Sequence, residues 1–334
     1  MTKASKSGKM YLDPMQIAKK YGIVIVLILM ILGLSIAEPA FLSSVNIFNV
    51  LTQSSIFGIM ALGMTFVIIS KGIDLSVGSI LAFAGVVAAS LGQLSSATGK
   101  YFPNLAEMPV IVPIAAALGI GALMGAVSGL LIARTRIPAF IATLGMMTVA
   151  RGLALIYSSG KPVSTLIPSL TALGGKVFNV LPVPVIIYFL MIIISSILLN
   201  KTRFGKNIYA IGGNITAAEV SGVNVSKNLV WIYTYCGLLA GLAAIVFAGR
   251  VGSVHPGAAS GYELTAIAAT TIGGTSHSGG IGTVWGAFVG ALVLAVMRNG
   301  LTLLGVDAYW QQVVEGLIIV VAVIIDMRKN AKRD

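Results

Sequence analysis

Charge is what this chain lacks. Aspartate and glutamate together number 10 in 334 residues, and charged side chains of both signs make up 10%, against about 25% in an ordinary soluble domain. Histidine occurs twice and cysteine once. The single Cys236 excludes an intrachain disulfide and a CxxC motif. His255 and His277 stand apart from each other and from the cysteine, and no HExxH spacing is present, so both read as loop histidines and no metal centre is expected. There is no Gly-x-Ser-x-Gly elbow and no pair of acids at helical spacing within one apolar run. The GxxxxGK[ST] phosphate loop is missing as well: the Gly–Lys pairs are followed by Met10, Tyr101, Pro162, Val177 and Asn207, none of which supplies the hydroxyl that holds magnesium. The chain is therefore expected to be no enzyme and to bind no cofactor. Any nucleotide hydrolysis belongs to another subunit.

What the chain has instead is apolar length. Hydrophobic residues make up 57% and the mean hydropathy is +0.97, so a bilayer is the natural solvent. Each spanning helix needs about 20 apolar residues. Runs near 21–37, 54–70, 76–92, 109–133, 138–158, 183–200, 229–248, 263–274, 283–303 and 309–326 predict an all-α, polytopic membrane protein of about ten helices. The eighth run is short enough to be broken or re-entrant, which leaves eight or nine full spans open. The first run is followed by further spans and preceded by a long basic segment, so it reads as a retained helix and not a signal peptide.

The formal net charge of +12 comes from basic residues gathered between alternate runs: Lys3, Lys6, Lys9, Lys19 and Lys20; Lys71; Arg134 and Arg136; Lys201, Arg203, Lys206 and Lys227; and Arg328, Lys329, Lys332 and Arg333. Placed on one side, they give the positive-inside pattern with both termini cytoplasmic. That accounts for the basic balance without a nucleic acid partner.

Glycine suggests how the helices pack. Gly121, Gly125 and Gly129, then Gly237 and Gly241, then Gly282, Gly286 and Gly290 recur every four residues, a spacing that lets helix backbones approach closely in lipid. A weak internal echo relates Val77–Ala89 to Ile281–Val293, each following a polar Gly/Ser stretch, and suggests a two-part build of the kind transporters use.

Four ionisable groups lie in or beside spans: Asp74, Arg151, Arg298 and Glu315. A charge in lipid is costly unless it is paired or reaches water. Arg151 and Glu315 have no neighbour of opposite charge along the sequence, so they read either as a polar pathway or gate, or as members of structural ion pairs across helices. Arg298 can snorkel to an interface. Asp74 falls in the break GIDLSVGS, which contains Gly72, Ser76 and Gly78. There Asp74 or Ser76 can cap the helix that begins near Val77, and the alternative is an ion relay.

The longest inner segment, Asn200 to Asn228, is punctuated by Gly205 and Gly212–Gly213. Its stretch Asn214–Ser221 predicts a short helix with Asn214 as N-cap and Ala217, Ala218 and Glu219 as helix formers. It reads as a docking element for a soluble partner or as a solvated connector.

GIDLSVGS, IPAFIATLGMM, RFGKNIYAIGGNITAAEVSGVNVSK, YELTAIAATTIGGTSHSGGIGTVWGAFVGA and NGLTLLGVDAYWQQVVEGLIIVVAVIID, in this order along almost the whole chain, resemble the permease subunits of bacterial ATP-binding-cassette (ABC) sugar importers, the ribose and galactoside branch above all. The resemblance implies a permease domain over 21–326, with an inner loop at 200–228 and basic cytoplasmic ends at 1–20 and 327–334. It implies a second permease copy, a cytoplasmic ATPase subunit carrying ATP and magnesium, and a periplasmic sugar-binding protein, all at the bacterial inner membrane. It makes Asn214–Ser221 the ATPase-docking helix, with Arg203, Phe204 and Gly205 leading in and Gly222 and Val223 leading out. It also makes Gly72, Asp74, Ser76, Gly78, Gly282 and Gly286 family-marking positions of the membrane helices. Two alternatives of transport remain, an ion-coupled secondary transporter using Asp74 or Glu315 and an ABC importer of a non-sugar solute. A membrane subunit with no pathway is a third. Tyr262, Tyr309, Trp310, Gln311 and Gln312 are candidate sugar contacts or interfacial anchors.

Overall fold

A computed structural model describes residues 14–330, with backbone alone for residues 14–20, 325, 329 and 330. The outermost basic residues of both ends therefore lie outside the described residues. The helices, in order, are α1 (Pro14–Ala37), α2 (Ser44–Ile69), α3 (Val77–Leu91), α4 (Ile111–Thr135), α5 (Ala139–Ser158), α6 (Pro168–Thr171), α7 (Val183–Lys201), α8 (Arg203–Gly213), α9 (Ile215–Val220), α10 (Val225–Val251), α11 (Tyr262–Ile272), α12 (Val284–Leu303) and α13 (Ala308–Asn330). Sheet is confined to two-residue pairs: β1 (Val163–Ser164) with β4 (Ser253–Val254), and β2 (Lys176–Val177) with β3 (Leu181–Pro182), both antiparallel.

Every predicted apolar run is helical, but not every run is long enough to cross. Among the described residues seven helices have the length and hydropathy of a span: α2, α4, α5, α7, α10, α12 and most of α13. The eighth run becomes α11, which has only 11 residues. The third run, read as a full span, becomes α3 with 15 residues. At 1.5 Å per residue these reach about 16 and 22 Å, short of the ~30 Å hydrocarbon core. Non-helical backbone precedes both, residues 70–76 before α3 and 252–261 before α11.

The core forms around α2, which is enclosed along nearly all its length, whereas α13 lies almost wholly on the outside. The most extensive contact joins α4 to α10. It rests on the predicted glycines: a Cβ on Gly121 would overlap the carbonyl oxygen of Gly237, one on Gly125 that of Tyr233, and one on Gly241 that of Ala117. Gly286 and Gly290 do the same for α12 against the backbone of α11 at Gly273 and Ala269. In an apolar solvent no hydrophobic force drives helices together, so close backbone approach supplies the attraction. Gly282 is different. It precedes α12 and abuts the side chains of Ile69 and Thr275.

Both halves of the internal echo open a helix after a non-helical stretch, but at different points of the echo. Gly78 lies inside the first turn of α3, while its counterpart Gly282 lies before Thr283, the N-cap of α12, whose hydroxyl accepts from Gly286 N at 3.0 Å. The basic loops, by contrast, meet on one face of the bundle. Lys71 Nζ reaches Gly213 O, Gly280 N donates to Ile69 O at 2.8 Å, and Tyr209 Oη donates to Gly282 O at 2.7 Å.

Candidate functional site

On that basic face the chain between α7 and α10 is two helices joined at a corner. Thr202 opens α8, its hydroxyl accepting from Gly205 N at 3.2 Å. Gly205 and Gly212 were expected as loop punctuation, but both are buried inside α8. They serve close approach: a Cβ on Gly205 would overlap the Leu199 carbonyl, and one on Gly212 the Ile69 carbonyl. Together with Ile208 and Ile211 they form the helix face turned to the bundle. Asn214 caps α9 as predicted, its Oδ1 accepting from Ala217 N at 3.0 Å. Ala218 anchors α9 against Ile211 and Val225, Ser221 ends it, and Gly222, at φ +83°, turns the chain into Val223.

What α9 leaves outside is apolar: Val220 is 86% exposed and Ile215 is exposed too. Beside it lies a groove of about 480 Å³ bounded by Phe204, Asn207, Ser221, Asn224, Lys227 and Trp231, among others. Arg203, the first residue of α8, is exposed. Apolar side chains on a basic, polar-rimmed face suit a protein partner.

In the GIDLSVGS break Asp74 and Ser76 are both fully covered, while Ile73 and Leu75 are partly buried. Asp74 Oδ1 accepts both the Ser76 amide, at 2.9 Å, and the Ser76 hydroxyl, at 2.5 Å. The capping expectation is therefore corrected. Ser76 occupies the N-cap position of α3, but its side chain makes no capping bond and is spent on Asp74. The carboxylate holds a tight turn ahead of the helix because two donors of its own turn lie closer than the first-turn amides. The glycines here answer contact. A Cβ on Gly72 would overlap the Tyr233 hydroxyl, and one on Gly78 would overlap Glu263 and the Ala259 carbonyl.

Arg151 and Glu315 belong to separate clusters. Glu315 accepts from Arg298 Nη2 at 2.5 Å and Nε at 3.2 Å, while its other oxygen accepts from Thr265 Oγ1 at 2.7 Å. Arg298, expected to snorkel, is instead the ion-pair partner, with its side chain 19% exposed. The reach of α11, α12 and α13 to one another fixes this triad, and Thr265 is the member that sequence reasoning missed. Arg151 Nη1 donates to the carbonyls of Pro256 and Ala258 at 2.7 and 2.9 Å.

Two further features had little signal in the sequence. Asp326 on α13 accepts from Ser276 Oγ at 3.1 Å and His277 N at 3.0 Å, which pins the foot of α13 to the 273–283 loop. Burial pushes the His277 imidazole below its usual range, with Asp326 opposing. At the head of α13 Tyr309 and Trp310 are exposed, and Gln311 closes the turn from α12 through Thr302 Oγ1 and Val306 O.

A bundle of apolar helices with two short ones inside it, and with Ile215 and Val220 exposed on its basic face, has the build of a membrane transport permease. The comparisons agree. The chain belongs to the family described as the permease component of the branched-chain amino acid transport system, whose model matches residues 46–323. It is 42% identical over 335 residues to the ribose import permease protein RbsC of Escherichia coli strain K12, covering 99% of this chain and 100% of the relative. It is 40% identical over 322 residues to the galactose/methyl galactoside import permease protein MglC of Salmonella typhimurium, covering 94% and 96%. With RbsC of Bacillus subtilis strain 168 it shares 42% over 317 residues, covering 94% and 95%. No solved structure matches the chain significantly.

Proposed function

We propose that this chain is the membrane-spanning permease subunit of an ABC importer that carries a monosaccharide of the ribose or galactose kind across the bacterial inner membrane. The observation that carries the reading is identity of 40–42% along nearly the full length of permeases named for ribose and galactose import. ATP and magnesium sit on a separate ATPase, a binding protein delivers the sugar to the opposite face, and two permease copies form the pathway. The basic face is cytoplasmic, which puts both termini there.

The docking element is α9. Ile215 and Val220 enter the ATPase, and α8 passes the motion on through Gly212 and Tyr209, which touch the end of α2 and the 273–283 loop. The pathway then opens to each side in turn as the ATPase closes and reopens.

Proteoliposomes holding the permease, its ATPase and its binding protein should take up labelled D-ribose or D-galactose only with ATP inside and both partners present. Uptake without the ATPase would sink the scheme, and labelled leucine serves as the control for the solute in the family's name. Val220→Glu should lower uptake at least about tenfold at unchanged melting temperature, because a charge placed in a desolvated interface opposes docking while the exposed residue contributes little to the fold.

Ion coupling makes the opposite forecast at Asp74. Asp74→Asn keeps the Oδ1 acceptor for both Ser76 bonds, so uptake should stay close to that of the unsubstituted complex. Asp74→Ala strips both donors of their acceptor and should cost about 1–3 kcal/mol of stability. Complete loss of transport in a well-assembled Asp74→Asn complex would restore the relay.

A further inference from the structure

The backbone that precedes α11 enters the bundle without being helical. Gly252, at φ +72°, ends α10, and Ser253–Val254 pair with β1. The chain then runs back along α3: Val254 lies against Gly85, whereas Ala259 and Glu263 lie against Gly78. Seven residues of helix separate those two contacts, about 10 Å, so α11 starts inside the bundle and not at its edge. Arg151, twelve residues into α5 and about 18 Å along it, meets this segment and holds the carbonyls of Pro256 and Ala258. Glu263, in the first turn of α11, lies within electrostatic reach of Arg151. One of its carboxylate oxygens accepts from Gly261 N at 3.2 Å. The other has no hydrogen-bond partner and is covered beside Gly78.

This polar junction is not sealed. Arg151 and Glu263 are half-buried, Gly257 and Ser260 are exposed, and so is Thr148, one turn before Arg151 on the same face of α5. An arginine in contact with hydrocarbon is costly, and irregular backbone at membrane depth is tolerated only where protein covers it or where it lines water. These groups are uncovered in the single chain, and an arginine and a carboxylate at this depth are least costly where water reaches them.

We infer that Arg151, Glu263 and the backbone of residues 256–260 form a solute site in the aqueous pathway, built for a neutral, polyhydroxylated molecule. Arg151 keeps Nε and Nη2 as donors beyond its two carbonyl bonds, and Glu263 keeps a free acceptor. A hydroxyl uses both, since it donates and accepts. The opposite formal charges cancel, which gives an ionised solute no advantage. The free Glu263 oxygen is itself covered beside Gly78, so a solute reaches it only when the 254–261 segment moves. The solute class rests on the import reading, whereas the aqueous lining does not.

Cysteine labelling and uptake, both in the complete complex in proteoliposomes, separate the two. In a Cys236→Ser background, Ser260→Cys and Thr148→Cys should react with a water-soluble maleimide at least about tenfold faster than Ile193→Cys on the outer face of α7, because the reactive thiolate forms only where water reaches. Glu263→Gln should raise the ATP hydrolysed per D-ribose imported about tenfold, equivalent to one lost hydrogen bond to a charged group, with the melting temperature unchanged. Ser260→Cys labelling no faster than Ile193→Cys in a complex that still imports ribose overturns the site, as does an unchanged ATP-to-ribose ratio in Glu263→Gln. If the unsubstituted complex imports no sugar, the import reading fails, and the maleimide comparison still decides whether the junction faces water.

Discussion

Glu315→Ala should destabilise the folded permease by about 3–5 kcal/mol, the cost of leaving one member of a buried ion pair alone. Removing the carboxylate strands the Arg298 guanidinium, whose Nε and Nη2 both donate to it, and takes from Thr265 its acceptor at 2.7 Å. Little water reaches the pair: the side chains are 19% and 9% exposed. Because α13 lies almost wholly on the outside of the bundle, the loss should appear as earlier melting and as early proteolysis of α13. The double substitution Arg298→Met, Glu315→Leu should recover most of that stability, since replacing both charges by apolar groups of similar size leaves no unpaired charge. A double variant as unstable as Glu315→Ala would show that the triad contributes something other than charge satisfaction.

Gly212→Ala should abolish most uptake while Gly213→Ala, one residue on, leaves it intact. A methyl on Gly212 would overlap the Ile69 carbonyl oxygen and crowd Gly280 N, the two groups that bond to each other at 2.8 Å. Backbone cannot yield as a side-chain tip does, so α8 must shift off the end of α2, at a cost of about 1–3 kcal/mol. That is too little to unfold the bundle and enough to break the path from α9 to the membrane helices. A Cβ on Gly213 meets nothing within 4 Å. Equal uptake by the two variants, with ATP hydrolysis measured alongside, would dissociate α8 from energy coupling.

The elements that sequence reading found were those with local causes. Apolar runs, the Asn214 cap and the four-residue glycine spacing each act through neighbours along the chain, and each reappears in the structure. The readings that needed correction concern which partners the fold brings within reach. Asp74 looked like a cap because the helix start was visible, whereas its donors, the Ser76 amide and hydroxyl, depend on how the turn folds. Arg298 looked like a snorkelling end residue because nothing along α12 announces that Glu315 faces it. Glu263 attracted no notice as an acid in the first turn of a short helix, and only the descent of residues 254–259 along α3 brings it beside Arg151.

By itself, then, the amino-acid sequence determined the solvent, the class and the number of apolar helices, because transfer into a bilayer sums over contiguous residues. It also determined the family, through motifs spread along the chain. Tertiary structure alone decided which apolar helices stop short of crossing, which glycines are contacts and not turns, and which charge meets which. Those outcomes depend on which helices lie side by side, and an ion pair or a backbone contact a few ångströms across is fixed by that adjacency and not by distance along the chain.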